Sequence, residues 1–168
     1  IETESFVPTG KGIIPKIDDS TGVSVIYVRT LHSFDSNAAS PLWIRRRIEK
    51  CGMRSISLAV DVTNYVMLEL GQPIHAFDRA QIEGSLHIRR AGNTKVLTTL
   101  DGQERTLSAD DLLVADDVRA LALAGTMGGA NSEVSPSTTT LAIEAARFDP
   151  VSIAKNARRH KLSTEASR

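Results

Sequence analysis

The chain has 168 residues, 41% of them hydrophobic and 24% charged, so its composition predicts one globular domain and excludes a wholly disordered chain. Its 20 Lys and Arg residues balance its 20 Asp and Glu residues, which disfavours a uniformly basic nucleic-acid-binding protein. No apolar run approaches the ~20 residues that a membrane helix needs, and a single cysteine, Cys51, fits a reducing compartment. Because the sequence begins with Ile1 and stops after a basic stretch, we expect a fragment of a longer polypeptide.

After a polar entry segment, the first half of the chain predicts one strand and two helices. The strand covers residues 23–28, which are β-branched and partly alternating. Ser40 and Pro41 predict the start of a helix, because a serine hydroxyl caps free N–H groups and proline at the first position loses no hydrogen bond. A second helix is predicted over residues 58–70, with Gly71 at its end.

Strand patterns dominate the second half of the chain. Asp101-Gly102, between two short strands, predicts a hairpin with a type I′ turn, and Pro150 predicts the start of a final helix that runs to about residue 161. Helices followed by strands and a last helix predict an α+β domain with mostly antiparallel or mixed sheets. The predicted strands cover residues 85–90, 96–100, 103–107, 111–115, 120–124 and 139–144.

Charge is distributed unevenly behind the neutral total. Residues 41–54 and residues 146–168 each carry a net charge of +4, and residues 101–145 carry −6. If both basic segments lie on one face of the fold, they would hold a phosphate backbone by Coulomb attraction and counterion release. The alternative is that they are two solvated helix faces.

Most sequence motifs of known catalytic, metal and nucleotide sites are absent. No spacing of His and Cys residues matches a structural zinc site, and no nucleophile elbow of a serine hydrolase is present. If the domain hydrolyses a substrate, activated water is therefore the expected nucleophile. The glycine loop, residues 125–129, fits neither the dinucleotide fingerprint nor the P-loop. It is either a tight turn that needs positive φ or a bare backbone that a ligand approaches closely.

Three polar features have two interpretations each. His75 lies in a predicted Gly/Pro turn, residues 71–78, and is either a structural or a functional histidine. Glu144 ends the apolar run 141–143, and is either exposed at a strand end or a buried site acid, because an unpaired buried carboxylate is costly. The basic run 158–160 is either a phosphate grip or a helix C-terminus that favours positive charge.

A longer series of motifs carries a resemblance. It consists of Ser40-Pro41-Leu42-Trp43, Arg54-Ser55-Ile56, Val60-Asp61-Val62-Thr63-Asn64-Tyr65-Val66, Leu68-Glu69-Leu70-Gly71-Gln72-Pro73-Ile74-His75-Ala76-Phe77-Asp78, and Ala157-Arg158-Arg159-His160 with Thr164-Glu165-Ala166-Ser167. In this order and spacing, the series resembles the B3/B4 region of the bacterial phenylalanine–tRNA ligase β-subunit family. The similarity runs from about residue 22 to residue 168, with residues 1–21 as a leading segment.

The resemblance implies an editing domain, which hydrolyses the ester of tyrosine that has been wrongly attached to tRNA(Phe). An apolar pocket rejects an added hydroxyl poorly, so such a site must use a polar group that phenylalanine leaves unpaired. The resemblance places the glutamate that reads the phenol at Glu144, and a histidine and an arginine with catalytic roles at His75 and Arg54. The implied substrate-binding positions also include Gly125, Gly128, Thr164 and Ala166.

The sequence shows no metal site, no paired carboxylates and no clear general base, so we expect positional hydrolysis by a bound water, with no metal and no cofactor in this domain. The parent ligase is expected to use ATP and Mg²⁺, to bind the acceptor end of tRNA(Phe) and to select between tyrosine and phenylalanine. Its expected partner is an α subunit in an (αβ)₂ assembly, in the cytoplasm and without membrane contact.

Two other functions remain open at this point. The first is a noncatalytic structural or tRNA-binding module that packs between neighbouring parts of the synthetase. The second is a small-molecule sensor unrelated to tRNA. The matching residue types at all the implied site positions count against the first alternative, since a vestigial site is free to lose costly buried polar groups. The two basic segments count against the second.

Overall fold

A computed structural model of the chain describes residue 10 and residues 12–167. This part contains three α-helices, ten strands and three short 3₁₀ turns. The helices are α1 (Leu42–Lys50), α2 (Leu58–Leu70) and α3 (Pro150–Arg159). The strands are β1 (Pro15–Ile17), β2 (Val23–Leu31), β3 (Ile74–Asp78), β4 (Leu86–Arg90), β5 (Val96–Thr98), β6 (Glu104–Thr106), β7 (Leu112–Ala115), β8 (Ala120–Leu123), β9 (Met127–Gly128) and β10 (Leu141–Phe148).

The described strands form three sheets. The largest has the order β1-β4-β7-β8-β9, in which β1 is parallel to β4 and the other pairs are antiparallel. The second is antiparallel with the order β2-β10-β3, and β5 and β6 form a hairpin. The two larger sheets share one core, in which Phe77, Leu86, Ile88, Leu112 and Leu121 are fully buried. The predicted α+β class with mostly antiparallel and mixed sheets is confirmed.

The predicted leading segment, residues 1–21, is only partly described. Residues 1–9 and residue 11 lie outside the described residues, as does Arg168 at the other end. The later part of the segment forms β1, which runs parallel to β4 with Lys16 opposite His87. The segment therefore contributes an edge strand to the largest sheet.

Local sequence signals place the helices. The predicted helix over residues 58–70 is confirmed as α2, which Ser57 caps and Gly71 ends at a φ of +66°. The predicted start of α3 at Pro150 is also confirmed, and Asp149 caps it by accepting from the Ser152 N–H at 2.7 Å. None of the described helices is both long and apolar enough to cross a membrane.

The expected cap at the start of α1 is wrong. Pro41, rather than Ser40, occupies the N-cap position, and no side chain caps this helix. The Ser40 hydroxyl instead donates to the carboxylate of Asp61 on α2 at 2.5 Å. A buried carboxylate that needs donors thus takes the hydroxyl away from the helix end.

Strand pairing corrects two expectations about β3 and β10. The sequence predicts a turn around His75, but residues 74–78 form β3, because their backbone groups pair with β10. The Gly and Pro signals mark only the turn that precedes the strand. The predicted strand 139–144 ends at Glu144, but β10 continues to Phe148, opposite β2. Glu144 therefore lies inside a central strand.

The β5–β6 hairpin is confirmed, but its turn differs from the expected type I′. The Thr99 N–H donates to the Gln103 carbonyl at 3.0 Å, so the loop has three residues instead of two. Only Gly102 has positive φ, at +74°, whereas a type I′ turn needs positive φ at both central residues. The Thr99 hydroxyl donates to the Asp101 carboxylate at 2.6 Å, and this bond holds the loop.

Candidate functional site

A cavity of about 520 Å³ lies between the three-stranded sheet, the glycine loop and α3. Glu144, Ala146 and Phe148 form one wall, because alternate side chains of a strand share a face. The neighbouring strand β3 contributes His75, and residues 125–128 close another side. The cavity thus brings together residues from four separate parts of the chain, and its volume suits a small ligand.

Glu144 is the buried acid of this cavity, with 6% of its surface exposed. In the antiparallel ladders it lies opposite Val28 of β2 and opposite His75 of β3. Within the described part of the chain, its carboxyl group has no hydrogen-bond donor. Burial raises its pKa from 4.5 to about 7. Near neutral pH the group therefore exists as acid and carboxylate in comparable amounts, and it has unused hydrogen-bonding capacity.

His75 faces the same cavity from β3. Its half-buried ring packs edge-on against Phe77, with the ring centroids 4.3 Å apart. Burial lowers its pKa from 6.5 to about 4, so the imidazole is neutral at pH 7. A neutral imidazole carries one N–H donor and one acceptor nitrogen. It is suited to orient a polar ligand group, and it is a weak general base at this pKa.

Two glycines allow the loop to approach these walls. Gly125 has a φ of +60°, and a Cβ atom there would lie 2.7 Å from Cδ1 of Ile153. Gly128 has ordinary φ, but a Cβ atom there would lie 2.7 Å from Cε1 of His75 and 2.9 Å from Cδ1 of Leu100. Gly125 fits the interpretation as a turn, and Gly128 fits the interpretation as a close approach to a site wall.

The segment after α3 packs against the glycine loop. The Thr164 hydroxyl donates to the carbonyl of Thr126 at 2.9 Å. The Thr164 N–H in turn donates to the Ser167 hydroxyl at 3.0 Å, which closes a tight turn. Ala166, inside this turn, lines the cavity. The hydrogen bond to Thr126 therefore fixes the part of the wall that Ala166 supplies.

A second cavity of about 380 Å³ adjoins the first. The two share Pro73, Ile74, His75 and Ala166, so β3 and the turn after α3 form the partition between them. One face of α2 supplies most of the opposite wall. Its lining residues on α2 and the preceding cap are Ser57, Val60, Thr63, Asn64 and Met67.

Comparison with known proteins identifies the family. A family model described as the B3/4 domain matches residues 22–168. The chain belongs to the B3/4 domain family. It is 53% identical over 164 residues to the phenylalanine–tRNA ligase β subunit of Streptomyces avermitilis, covering 96% of this chain and 20% of that protein. It is 51% identical over 165 residues to the β subunit of Bifidobacterium longum, covering 91% and 19%. The chain therefore spans about a fifth of the length of these relatives.

A solved structure shows the same fold. An N-terminal fragment of the phenylalanyl-tRNA synthetase β subunit from Pyrococcus horikoshii matches with a TM-score of 0.63 and 10% sequence identity, over 95% of this chain and 51% of that chain. At this identity the match concerns the fold alone. Together with the sequence relatives, it confirms the resemblance to the β-subunit B3/B4 region.

The B3/4 domain gathers most of the residues that the resemblance implied. The large cavity is lined by Glu144, His75, Gly125, Gly128 and Ala166. Thr164 lines the second cavity instead, beside Ala166. These placements are geometric, and the roles of the residues stay predictions.

Arg54 is the implied site residue that lies apart. It is exposed in the loop between α1 and α2, and it lines neither cavity. Two neighbours in that loop, Met53 and Ile56, do line the second cavity. Arg54 is therefore adjacent in sequence to residues that line the second cavity, and it does not belong to the cavity wall that Glu144 and His75 share.

The cavities also include residues that sequence reasoning did not single out as site residues. Asn64 lines the second cavity from α2, and the three- and four-residue spacing that predicts this helix would have placed it beside Val60 and Met67. Arg147 lines the large cavity although strand alternation assigns it to the opposite face from Glu144. No sequence signal identifies Arg147.

The basic run 158–160 has a structural role at two of its three residues. Arg159 forms an ion pair with the buried carboxylate of Asp111, and Nε2 of His160 lies 2.8 Å from the other carboxylate oxygen. Both side chains thereby anchor the end of α3 to the largest sheet. Only Arg158 of this run is exposed without an ion partner among the described residues. Across residues 10 and 12–167, no group of three His, Cys, Asp or Glu residues is placed so that it could hold a metal ion.

Proposed function

We propose that this B3/4 domain hydrolyses the ester of tyrosyl-tRNA(Phe), as the editing domain of a phenylalanine–tRNA ligase β subunit. The observation that carries the proposal is the carboxyl group of Glu144, which is buried and has no donor among the described residues, at the wall of a cavity of about 520 Å³. A tyrosine phenol O–H would donate to this group. Phenylalanine would leave it unpaired, at a cost of about 1–3 kcal/mol or more for a charged group.

Hydrogen bonding to a hydroxyl gives the selectivity that editing needs. Sites built to bind a hydroxyl discriminate against the analogue that lacks it by roughly 10⁴–10⁵. Glu144 with a pKa of about 7 accepts a hydrogen bond in either protonation state, more strongly as the carboxylate. The apolar parts of Ala146 and Phe148 beside it suit an aromatic ring.

The hydrolytic step needs positioned groups rather than a strong base. A bound water attacks the ester carbonyl carbon, the bond from that carbon to the ribose oxygen breaks, and the water proton passes to the leaving ribose oxygen. The products are tyrosine and the free tRNA hydroxyl. Neutral His75 orients the ester or the water, and N–H groups near the glycine loop polarise the carbonyl.

The second cavity suits the nucleoside that carries the ester. It adjoins the first cavity across His75 and Ala166, so a molecule that places its amino acid beside Glu144 has its other end next to this space. Asn64 and Thr63 offer hydrogen-bonding groups there. Exposed Arg54, in the loop that also lines this cavity, would then meet the RNA rather than the amino acid.

The remaining proposals concern the longer protein. We expect the parent ligase to attach phenylalanine to tRNA(Phe) in the cytoplasm, with ATP and Mg²⁺ serving its synthetic site and an α subunit completing an (αβ)₂ assembly. The β-subunit relatives named above support these expectations. None of these groups takes part in the hydrolytic step proposed for this domain.

The test compares deacylation of Tyr-tRNA(Phe) and Phe-tRNA(Phe) by the chain and its variants. The unchanged chain should hydrolyse the tyrosyl ester selectively, and Glu144→Ala should lower the ratio of the two rates by about 100-fold or more. His75→Ala should slow single-turnover hydrolysis while tyrosine affinity stays within about threefold. Glu104→Ala, at an exposed site on β6, is the matched control and should change neither quantity.

Two results would overturn the proposal. An unchanged tyrosine-to-phenylalanine ratio in Glu144→Ala would remove Glu144 as the group that reads the phenol. A chain that binds tyrosine and tRNA but hydrolyses neither ester would show a noncatalytic module.

A further inference from the structure

One surface of the domain combines exposed aromatic and basic side chains at helical spacing. Trp43, Arg46, Arg47 and Lys50 lie at positions i, i+3, i+4 and i+7 of α1, so they share one face. The buried residues of α1, Ile44 and Ile48, face the opposite way. The Trp43 side chain is 52% exposed, which is unusual for a residue with so much apolar surface. We call this face the α1 stripe.

Contacts with α2 hold the centre of the stripe in place. The Trp43 and Tyr65 rings meet edge to face, with centroids 5.1 Å apart. The Arg47 guanidinium lies 5.5 Å from the Trp43 ring and 5.7 Å from the Tyr65 ring, and it donates to the Tyr65 hydroxyl at 3.0 Å. These cation–π contacts keep a guanidinium and an indole side by side at the surface. The surface is therefore organised before any partner binds.

The stripe also carries cations that the described residues leave without ion partners. Arg47 has one weak ion pair, with Glu69 at 3.8 Å, and the other two cations of the stripe, Arg46 and Lys50, have none. The second basic segment also has exposed cations without an ion partner among the described residues, Lys155 and Arg158, but it contains no tryptophan or tyrosine beside them. Of the two segments with equal net charge, the one in α1 combines its cations with an exposed aromatic ring.

The stripe is separated from the second cavity by α2. On one face of α2, Tyr65 contacts α1 and Asp61 contacts the segments that precede and follow α1. Another face of α2 lines the second cavity through Asn64. A helix is about 10–12 Å wide. A stacked strand with one phosphate per about 3.4 Å, the spacing along one strand of B-form DNA, would cross this distance in roughly three or four nucleotides.

We infer that the α1 stripe binds the sugar-phosphate backbone and one base of the RNA strand whose end enters the cavities. This inference rests on the proposed function for its substrate, and it adds a binding surface outside the cavities. Arg46 and Lys50 meet phosphates, and Trp43 offers a stacking face to a base. Tryptophan and arginine are also common in protein interfaces, but lysine is depleted there, and a phosphate backbone provides repeated anions for all three cations of the stripe.

The experiment uses Trp43, the one tryptophan of the chain, as a fluorescent reporter on the stripe. Uncharged tRNA(Phe) is titrated into the chain at several salt concentrations. Binding should change the Trp43 emission, and the affinity should fall as salt rises. The variant with Arg46→Gln and Lys50→Gln should bind about 10- to 30-fold more weakly at about 0.1 M salt. Its slope of log affinity against log salt should be smaller by about 1.4, the value for two lost single-strand contacts.

A matched variant separates a defined surface from general attraction. Lys155→Gln with Arg158→Gln removes two exposed cations of α3 that have no ion partner among the described residues. Its affinity for tRNA(Phe) should stay within about twofold of that of the unchanged chain, and its slope of log affinity against log salt should not change. An equal loss of tRNA affinity in both variants, or an unchanged salt dependence in the α1 variant, would overturn the inference. So would tRNA binding that leaves Trp43 emission unaltered, as expected if the stripe contacts another protein segment. All these readouts measure binding without hydrolysis, so they can succeed where the editing assay fails.

Discussion

At the scale of single residues, Gly128 controls the position of the His75 imidazole. A methyl group at residue 128 would lie 2.7 Å from Cε1 of His75, which is closer than two non-bonded carbon atoms can approach. The ring can move only by turning away from Gly128 and from its packing on Phe77. The methyl group and the displaced ring would then take up space in the cavity, which truncation of His75 would not do. We therefore expect Gly128→Ala to weaken tyrosine binding about tenfold or more, measured by calorimetry, at a stability cost of about 1–3 kcal/mol in urea unfolding.

The control for this substitution is Gly12→Ala. Gly12 also has ordinary φ, but the nearest atom to an added Cβ there is 3.9 Å away, so the methyl group fits. This variant should bind tyrosine as the unchanged chain does. Tyrosine binding by Gly128→Ala at full affinity would show that the loop does not set the shape of the cavity.

The sequence alone distinguishes Glu144 and His75 as residues, but not as a pair. An acid after an apolar run is unusual enough to be noticed locally. The arrangement that makes it a site acid depends on β10 lying between β2 and β3, with Glu144 opposite His75. That register joins residues 69 positions apart, and no local pattern encodes it. The pKa values follow from the same long-range burial.

At the scale of elements, Asp61 joins α2 to both ends of α1. Its carboxylate is fully buried and accepts from the Ser40 hydroxyl at 2.5 Å, the Ser55 hydroxyl at 2.6 Å and the Ile56 N–H at 2.8 Å. Replacement by alanine leaves these donors without an acceptor. We expect Asp61→Ala to lower the free energy of unfolding by about 3 kcal/mol, measured by urea denaturation.

A graded series tests this account of Asp61. Ser40→Ala removes a single donor and should cost about 1 kcal/mol, because the carboxylate keeps its other partners. Hydrogen exchange at the Ile56 amide should accelerate in Asp61→Ala and stay slow in Ser40→Ala. Equal costs for the two variants would mean that the carboxylate is not the centre of the network.

The elements themselves differ in how far the sequence predicts them. Both ends of α2 follow from local chemistry, a serine cap and a glycine in the left-handed region. The strands β3 and β10 depend on their ladder partners, so the local sequence predicts a turn in place of β3 and too early an end for β10. Ser40 shows the same limit for a helix end, since the Asp61 carboxylate that takes its hydroxyl is 21 residues away.

At the scale of the whole molecule, three titrating groups set the pH at which the fold is most stable. His87 lies between two carboxylates, with Asp18 at 2.8 Å and Asp117 at 2.6 Å, and so joins the segment after β1, β4 and the turn between β7 and β8. The Asp117 hydrogen bond first, and then Asp18, raise the pKa of His87 against the effect of burial. Glu144 has a raised pKa and His75 a lowered one.

The signs of these shifts decide the direction of the pH dependence. Folding favours protonated His87 and protonated Glu144, so both contributions are lost as pH rises through the raised pKa values. Between about pH 4.5 and 6.5, folding also favours neutral His75, which opposes the contribution of Glu144. At lower pH the carboxylates with lowered pKa, such as Asp19 and Asp149, must be protonated, which destabilises the fold.

We therefore expect the free energy of unfolding to be greatest between about pH 5 and 6.5, and to fall as the pH rises through the raised pKa values of Glu144 and His87. Folding moves the pKa of Glu144 from 4.5 to about 7, so its ionisation lowers the free energy of unfolding by as much as about 3 kcal/mol over this pH range. Below about pH 6.5, the lowered pKa of His75 offsets part of this loss. Urea denaturation should show a smaller fall for Glu144→Gln, and almost none above about pH 6.5 for the same variant with His87→Gln added. The two sites lie in different sheets, so their effects should add. A stability maximum near about pH 8, or an unchanged slope in Glu144→Gln, would show that the carboxyl group reaches solvent when it ionises.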